Sequence, residues 1–425
     1  MFEEAAAHRA IEAVWRIECA RIVATVARMT RDVGLAEECA QDALVSALEH
    51  WPAEGTPNNP AAWLTTAAKN RALDLIRHHA LRDRKLEELG LDLEAQEALI
   101  VPDFVDALDA ARQDRIGDDL LRLIFTACHP VLATDARVAL TLRLLGGLST
   151  GEIARAFLVP EPTVAQRIVR AKKTLSQAQV PFELPPHDDL AERMASVLEV
   201  IYLIFNEGYA ATAGDDWMRP ALCDEALRLA RVLATLAPHE PEVHGLQALM
   251  EIQSSRTAAR TDAQGRAVLL ADQDRGRWDH LLIHRGLDAL ARAEALAAPR
   301  GPYTLQAALA ACHARAATAA ATDWPHIVAL YNELLLSHPS PVVALNRAVA
   351  VGQAAGAAAG LAAVDALAGE PALAAYHWLP SVRGDMLQRL GRSTEARAEF
   401  ERAAAMTQNA RERELLLERA AALPS

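Results

Sequence analysis

Apolar residues along this chain recur every three to four positions, and no strict alternation runs long enough to compete, so the chain reads as all-α. From Pro60 the segment PAAWLTTAAKNRALDLIRHHALRDRK makes one long helix. Leu64, Ala68, Ala72 and Leu75 mark its buried side, and Trp63, Thr66, Asn70 and Arg77 fall on another. A helix over Asp32 to Trp51 precedes it, with Glu37, Glu38, Gln41 and Asp42 opposite Ala40, Ala43, Leu44 and Leu48. Breaks are predicted at Trp51-Pro52 and across Thr56-Pro57-Asn58-Asn59-Pro60.

The most informative pattern is STGEIARAFLVPEPTVAQRIVRAKKTL, from Ser149 to Leu175. Ser149 and Glu152 have capping-box spacing, so a helix starts at about Thr150. Pro162 suits the first turn of a second helix. There Val164, Ile168, Ala171 and Leu175 make one buried stripe, which leaves Thr163, Gln166, Val169, Arg170 and Lys173 pointing away and Arg167 and Lys172 flanking. Beyond Pro181, Pro185 and Pro186 the chain is Ala-rich and helical. Leu390-Gly391-Arg392, followed by Glu395, Ala396, Phe400 and Ala403, has a tetratricopeptide-like pattern, and the Gly- and Ala-rich stretch 352–363 predicts a weakened helix or a loop.

Composition narrows the class. At 425 residues with 52% hydrophobic and 23% charged residues, the chain can bury more than one core and is not disordered. Five Cys with no CxxC spacing argue against a disulfide framework or a zinc ribbon. Glu3, Glu4 and Glu12 stand where a signal peptide would carry positive charge, and the longest uncharged stretch, Ala348 to Val364, is too weakly apolar to span a bilayer. A reduced, cytoplasmic protein with no membrane partner is the expectation.

The net charge of −13 hides opposite local fields. Residues 161–175 carry four cations against one carboxylate, and 69–85 carry six against two. Residues 87–114 carry nine carboxylates against Arg112 alone, which makes an acidic connector. A hydroxyl, an amide and cations on one helix face are the groups that read base edges and clamp phosphates. An aromatic with amides and cations on the 60–80 helix suits opened or single-stranded DNA.

These pieces together resemble a sigma factor of the sigma-70 family. AEECAQDALVSAL and PAAWLTTAAKNRALDLIR are similar to the polymerase-clamp and promoter −10 helices of region 2, and residues 117–178 resemble region 4, whose helix-turn-helix reads the −35 element. No further folded region fits between them, which is the pattern of extracytoplasmic-function sigma factors. YLIFNEGYAA, DQDRGRWDHLLI, GPYTLQAALAACHA and PSPVVALNRAVAV resemble the C-terminal extension of one subgroup, which fuses a tetratricopeptide-like domain to the sigma domains.

The resemblance implies region 2 over 9–86, an acidic linker over 87–115, region 4 over 116–178 and a helical extension over 188–425. It implies that Glu37, Glu38, Gln41 and Asp42 meet core RNA polymerase, and that Lys69, Asn70, Asp74 and Arg77, with Trp63, serve the −10 element of promoter DNA. Glu161, Thr163, Gln166, Arg167, Arg170 and Lys173 would serve the −35 element. Leu158 and Pro162 depart from the family's turn glycines, so a −35 preference does not transfer. The connector would thread the RNA exit path and mimic nucleic acid, and the extension would regulate activity through a protein partner or an intramolecular contact.

Other constellations point elsewhere only weakly. His280 and His284 are one helical turn apart but lack the following Glu and a third ligand, so no metal or other cofactor is expected. Cys128-His129 is read as a buried thiol beside a histidine, and Asp272, Asp274, Arg275 and Asp279 as a charged network at a helix start. No catalytic residue and no enzyme activity is expected. The rival readings are a helical-repeat transcription regulator that does not use core polymerase, and an enzyme in the C-terminal half near Asp272 or Glu207.

Overall fold

The structure, a computed structural model, describes residues 2–88, 119–157, 159–210, 218–262, 268–296 and 299–424. Among them the regular elements are helices, with no β-strand. Leu158 and nearly all of the acidic connector lie outside the described residues. The chain divides into two compact units, Met1–Val200 and Ile201–Ser425.

The first unit opens with α1 (Phe2–Thr30), α2 (Val33–Glu54) and α3 (Pro60–Glu88), which pack on one another. Asp32 caps α2 by accepting from the Leu35 N–H at 2.9 Å. The break expected at Trp51-Pro52 does not occur. Pro52 sits inside α2, and the helix stops at Glu54 before Gly55, whose φ of 87° is a left-handed conformation that a glycine adopts without strain. Ala36, Ala40 and Ala47 of α2 and Leu64, Ala68 and Ala72 of α3 all lie in the core at 0% exposure, and the two helices pack on each other.

Next come α4, described over 119–127, α5 (Thr134–Leu144), α6 (Thr150–Phe157), α7 (Glu161–Gln177) and α8 (His187–Tyr209). The sequence assigned α8 whole to the C-terminal zone. Its first half instead belongs to the first unit, held by side-chain bonds to buried carbonyls. Arg193 donates to the Phe125 carbonyl at 2.7 Å, and the Ser196 hydroxyl donates to the Cys128 carbonyl at 2.6 Å. Arg137 of α5 adds a 3.0 Å ion pair to Glu199.

The second unit continues with α9 (Pro220–Leu236), α10 (Pro241–Ser254), α11 (His280–Leu296), α12 (Pro302–Arg315), α13 (Trp324–Ser337), α14 (Pro341–Ala354), α15 (Ala357–Asp365), α16 (Trp378–Arg389), α17 (Ser393–Met406) and α18 (Ala410–Ala421). Successive helices pack on each other, as in helical repeats. The 352–363 stretch is not a loop. It forms the end of α14 and most of α15, and its glycines let the two helices touch: a Cβ on Gly360 would lie 2.7 Å from the Gly352 Cα and 2.7 Å from the Met386 sulfur.

Candidate nucleic-acid and polymerase interface

The start of α6 is fixed by reciprocal capping. The Ser149 N–H donates to Glu152 Oε2 at 2.8 Å, and the Glu152 N–H donates to Ser149 Oγ at 3.2 Å. Burial pushes the Glu152 carboxyl up, but the Ser149 donors together with Arg16 and Arg155 hold it below its ordinary value. The Thr150 hydroxyl donates to Glu161 Oε1 at 2.9 Å and ties the two helices of the motif together.

In α7, Val164, Ile168, Ala171 and Leu175 are all buried at 5% exposure or less, the stripe read from the sequence. The opposite face stands open: Glu161, Gln166, Arg170 and Lys173 are exposed and Thr163 is half-buried. Arg167 turns aside to Asp135 of α5 at 3.1 Å. An exposed ion pair of this kind is worth little, about 0 to 1 kcal/mol, so it holds Arg167 only loosely. The face therefore presents an amide, cations and one carboxylate on a rigid helix, the groups that a DNA groove accepts.

On α3, Asn70, Asp74 and Arg77 are exposed and Lys69 is half-buried. Arg77 lies 3.7 Å from Asp74. Trp63 is half-buried, its ring edge-on to Trp51 at 5.4 Å between centroids. The −10 candidates thus share a helix, with Trp63 anchored by one side of its ring.

The acidic face of α2 departs from its reading. Glu37 is buried at 4% exposure, so it is not part of an open polymerase-facing surface. Its carboxylate accepts from Arg143 Nε of α5 at 2.6 Å, pairs with Lys172 of α7, and also takes the Gln41 amide. A single buried carboxylate needs such partners, because desolvation of an unpaired charge costs several kcal/mol. Glu38 and Asp42 remain exposed, with Asp42 paired to Arg71 of α3 at 2.7 Å. Leu48, placed opposite the acidic residues, is 37% exposed, and Val45 is 51% exposed. Glu38, Asp42, Val45 and Glu49 recur at helical spacing, so the outer face of α2 mixes carboxylates with apolar side chains. The alternation of four and three residues from 38 to 49 was the sequence signal for this row.

The remaining constellations sit as follows. Cys128 is buried against Thr141 at 3.4 Å, and burial pushes its thiol up to about 11 while His129 is held down at about 4. A thiol so raised is a poor nucleophile near neutral pH. Asp279 caps α11 through the Leu281 and Leu282 N–H groups at 2.9 and 3.1 Å. Arg275 does not join the aspartates in a network; it donates to the His313 and Ala316 carbonyls. Among the described residues no group of three or more His, Cys, Asp or Glu is placed to hold a metal ion.

Sigma-70 region 2 matches residues 19–82, sigma-70 region 4 matches 122–175, and a family of unknown function, DUF6596, matches 193–294. An uncharacterized protein of Rhizobium meliloti is 46% identical over 91% of this chain and 89% of its own length. The ECF RNA polymerase sigma factor SigK of Mycobacterium ulcerans is 29% identical over 37% of this chain and 79% of its own length. The RNA polymerase sigma-H factor of Pseudomonas aeruginosa is 27% identical over 38% and 82%. No solved structure matches. Sigma-70 region 2 followed by sigma-70 region 4 in this order defines an RNA polymerase sigma factor. The chain belongs to the extracytoplasmic-function sigma factors of the sigma-70 family, in a form with an additional C-terminal helical region.

Proposed function

We propose that this chain binds core RNA polymerase through the outer face of α2, reads the −35 element with α7 and opens the −10 element on α3. The observation that carries the assignment is the open polar face of α7, where Gln166, Arg170 and Lys173 stand exposed opposite a fully buried stripe. Glu38, Gln41 and Asp42 would meet the polymerase, with Val45 and Leu48 adding apolar contact area; Glu37 is left out because its charge is already taken. Trp63, Lys69, Asn70, Asp74 and Arg77 would hold the opened −10 strand, and Glu161, Thr163, Gln166, Arg167, Arg170 and Lys173 the −35 duplex. The chain itself would supply binding energy and strand opening, and the polymerase the chemistry.

The same reading gives residues 9–86 and 116–178 to the two sigma domains, 87–115 to the linker and, of the region 188–425, the helices from Ile201 onward to a regulatory extension, in a protein acting in the cytoplasm. No helix among the described residues is long and apolar enough to cross a membrane. The test is transcription with purified core polymerase on promoters selected from a random library. Promoter-specific transcripts that require core are expected, and Arg170→Ala and Lys173→Ala should each lower the salt dependence of promoter binding by roughly one counterion. DNA binding indifferent to core would favour an ordinary regulator.

A further inference from the structure

We propose that Val169 is a specificity residue of the −35 helix, packing its isopropyl group on the 5-methyl group of a thymine in the −35 element. The inference rests on α7 reading that element. Val169 is 64% exposed, while the other large aliphatic side chains of α7, Val164, Ile168 and Leu175, are exposed by 5% or less. At 100° per residue it stands on the outward side, one turn from Gln166 and from Lys173 and next to Arg170, all three exposed. Lys172, one turn from Val169 on the flank of this face, reaches Glu37 of α2 and still leaves Val169 64% exposed. So the row that includes Val169 is free to enter a groove while the helix stays docked.

The chemistry of the groove then identifies the partner. Along the floor of the major groove the base edges offer hydrogen-bond donors and acceptors, which Gln166, Arg170 and Lys173 can satisfy and an isopropyl group cannot. The thymine methyl is the apolar feature on those edges, and it alone gains from contact with valine. Opposite any other base, Val169 would cover a polar edge without bonding it and so penalise that base. Helix stability does not explain the residue, because a β-branched side chain at an exposed helical position is poorer than Ala, Lys or Gln.

The experiment uses the full chain with core polymerase on a promoter selected from a random library. Each −35 thymine, on either strand, is replaced in turn by deoxyuridine, which removes only the methyl group, and promoter affinity is measured for the natural chain and for Val169→Ala. One thymine should lose about fourfold in affinity on conversion to deoxyuridine, the factor that burial of one methyl group provides. Val169→Ala should weaken binding to the thymine promoter, and the deoxyuridine exchange should then cost that variant nothing more. Gln166→Ala serves as the control: it should weaken binding yet remain sensitive to the methyl group. Equal sensitivity of the Val169→Ala chain and the natural chain, or no sensitivity at any thymine, overturns the proposal while leaving −35 reading intact. Absence of −35 protection by the natural holoenzyme overturns both.

Discussion

His313 shows how one side chain in the second unit couples stability to pH. Burial, with Arg256 and then Arg275 nearby, holds its imidazole down at about 4, against an ordinary value of 6.5. The ring lies edge-on to Trp324 at 5.3 Å, and burial with the two cations makes the native state favour the neutral form. The unfolded chain takes up a proton as pH falls through about 6.5, while the folded chain does so only near 4. Native stability is therefore lost progressively across that window and is fully present above it. The loss attributable to His313 between pH 7 and pH 4 is about 2 to 3 kcal/mol. Urea unfolding of His313→Phe should show a shallower decline over the same range than the natural chain, with the two curves converging in slope above pH 7. A parallel decline in both would remove His313 from the account.

At the scale of elements, the ties between helices decide what was legible in the sequence. The α6 start and the α7 stripe were readable because capping and periodicity are local: Ser149 and Glu152 bond each other, and the buried positions of α7 follow the helical turn. The same periodicity misled on α2. It placed Glu37 on a solvated face, because its partners Arg143 and Lys172 are distant in sequence and nothing local announces them. Pro52 was read as a break, although a proline near a helix's end loses only one hydrogen bond and need not stop it. Residues 352–363 were read by composition, which cannot foresee that Gly352 and Gly360 would be small because α14 and α15 touch there. Two substitutions separate these cases. Glu37→Ala strands Arg143 and Lys172 in a largely buried site and should destabilise the first unit by about 3 kcal/mol, with Glu37→Gln losing less because it still bonds Arg143. Gly360→Ala drives a methyl group into the Gly352 backbone and should cost about 1 to 3 kcal/mol in the second unit. Differential scanning calorimetry would test both. A single transition shifted equally by the two substitutions would deny that the stabilities of the units are separable.

For the whole molecule, the informative boundary is the one inside α8. Composition put the division at the proline cluster before residue 187, because prolines and polar residues usually mark linkers. Packing puts it at Val200, since Arg193 and Ser196 satisfy the carbonyls of Phe125 and Cys128 at the end of α4, where the helix leaves them without intrahelical partners. Met194, Val197, Leu198 and Val200 are also buried, at 5% exposure or less. A chain ended after Val180 exposes that surface and leaves the two carbonyls to water, whereas one ended after Val200 keeps all of these contacts. Burying one large aliphatic side chain contributes about 1.5 to 3 kcal/mol, so several are a large share of what holds a domain of this size. The chain ended after Val200 should therefore unfold cooperatively at the higher temperature and support core-dependent transcription at least as well as the shorter one. The shorter chain should show early amide exchange in α4 and α5, beginning at Phe125 and Cys128. Equal melting temperatures and equal exchange in the two would mean that the first half of α8 adds nothing to the sigma domains and that the proline cluster is the true boundary.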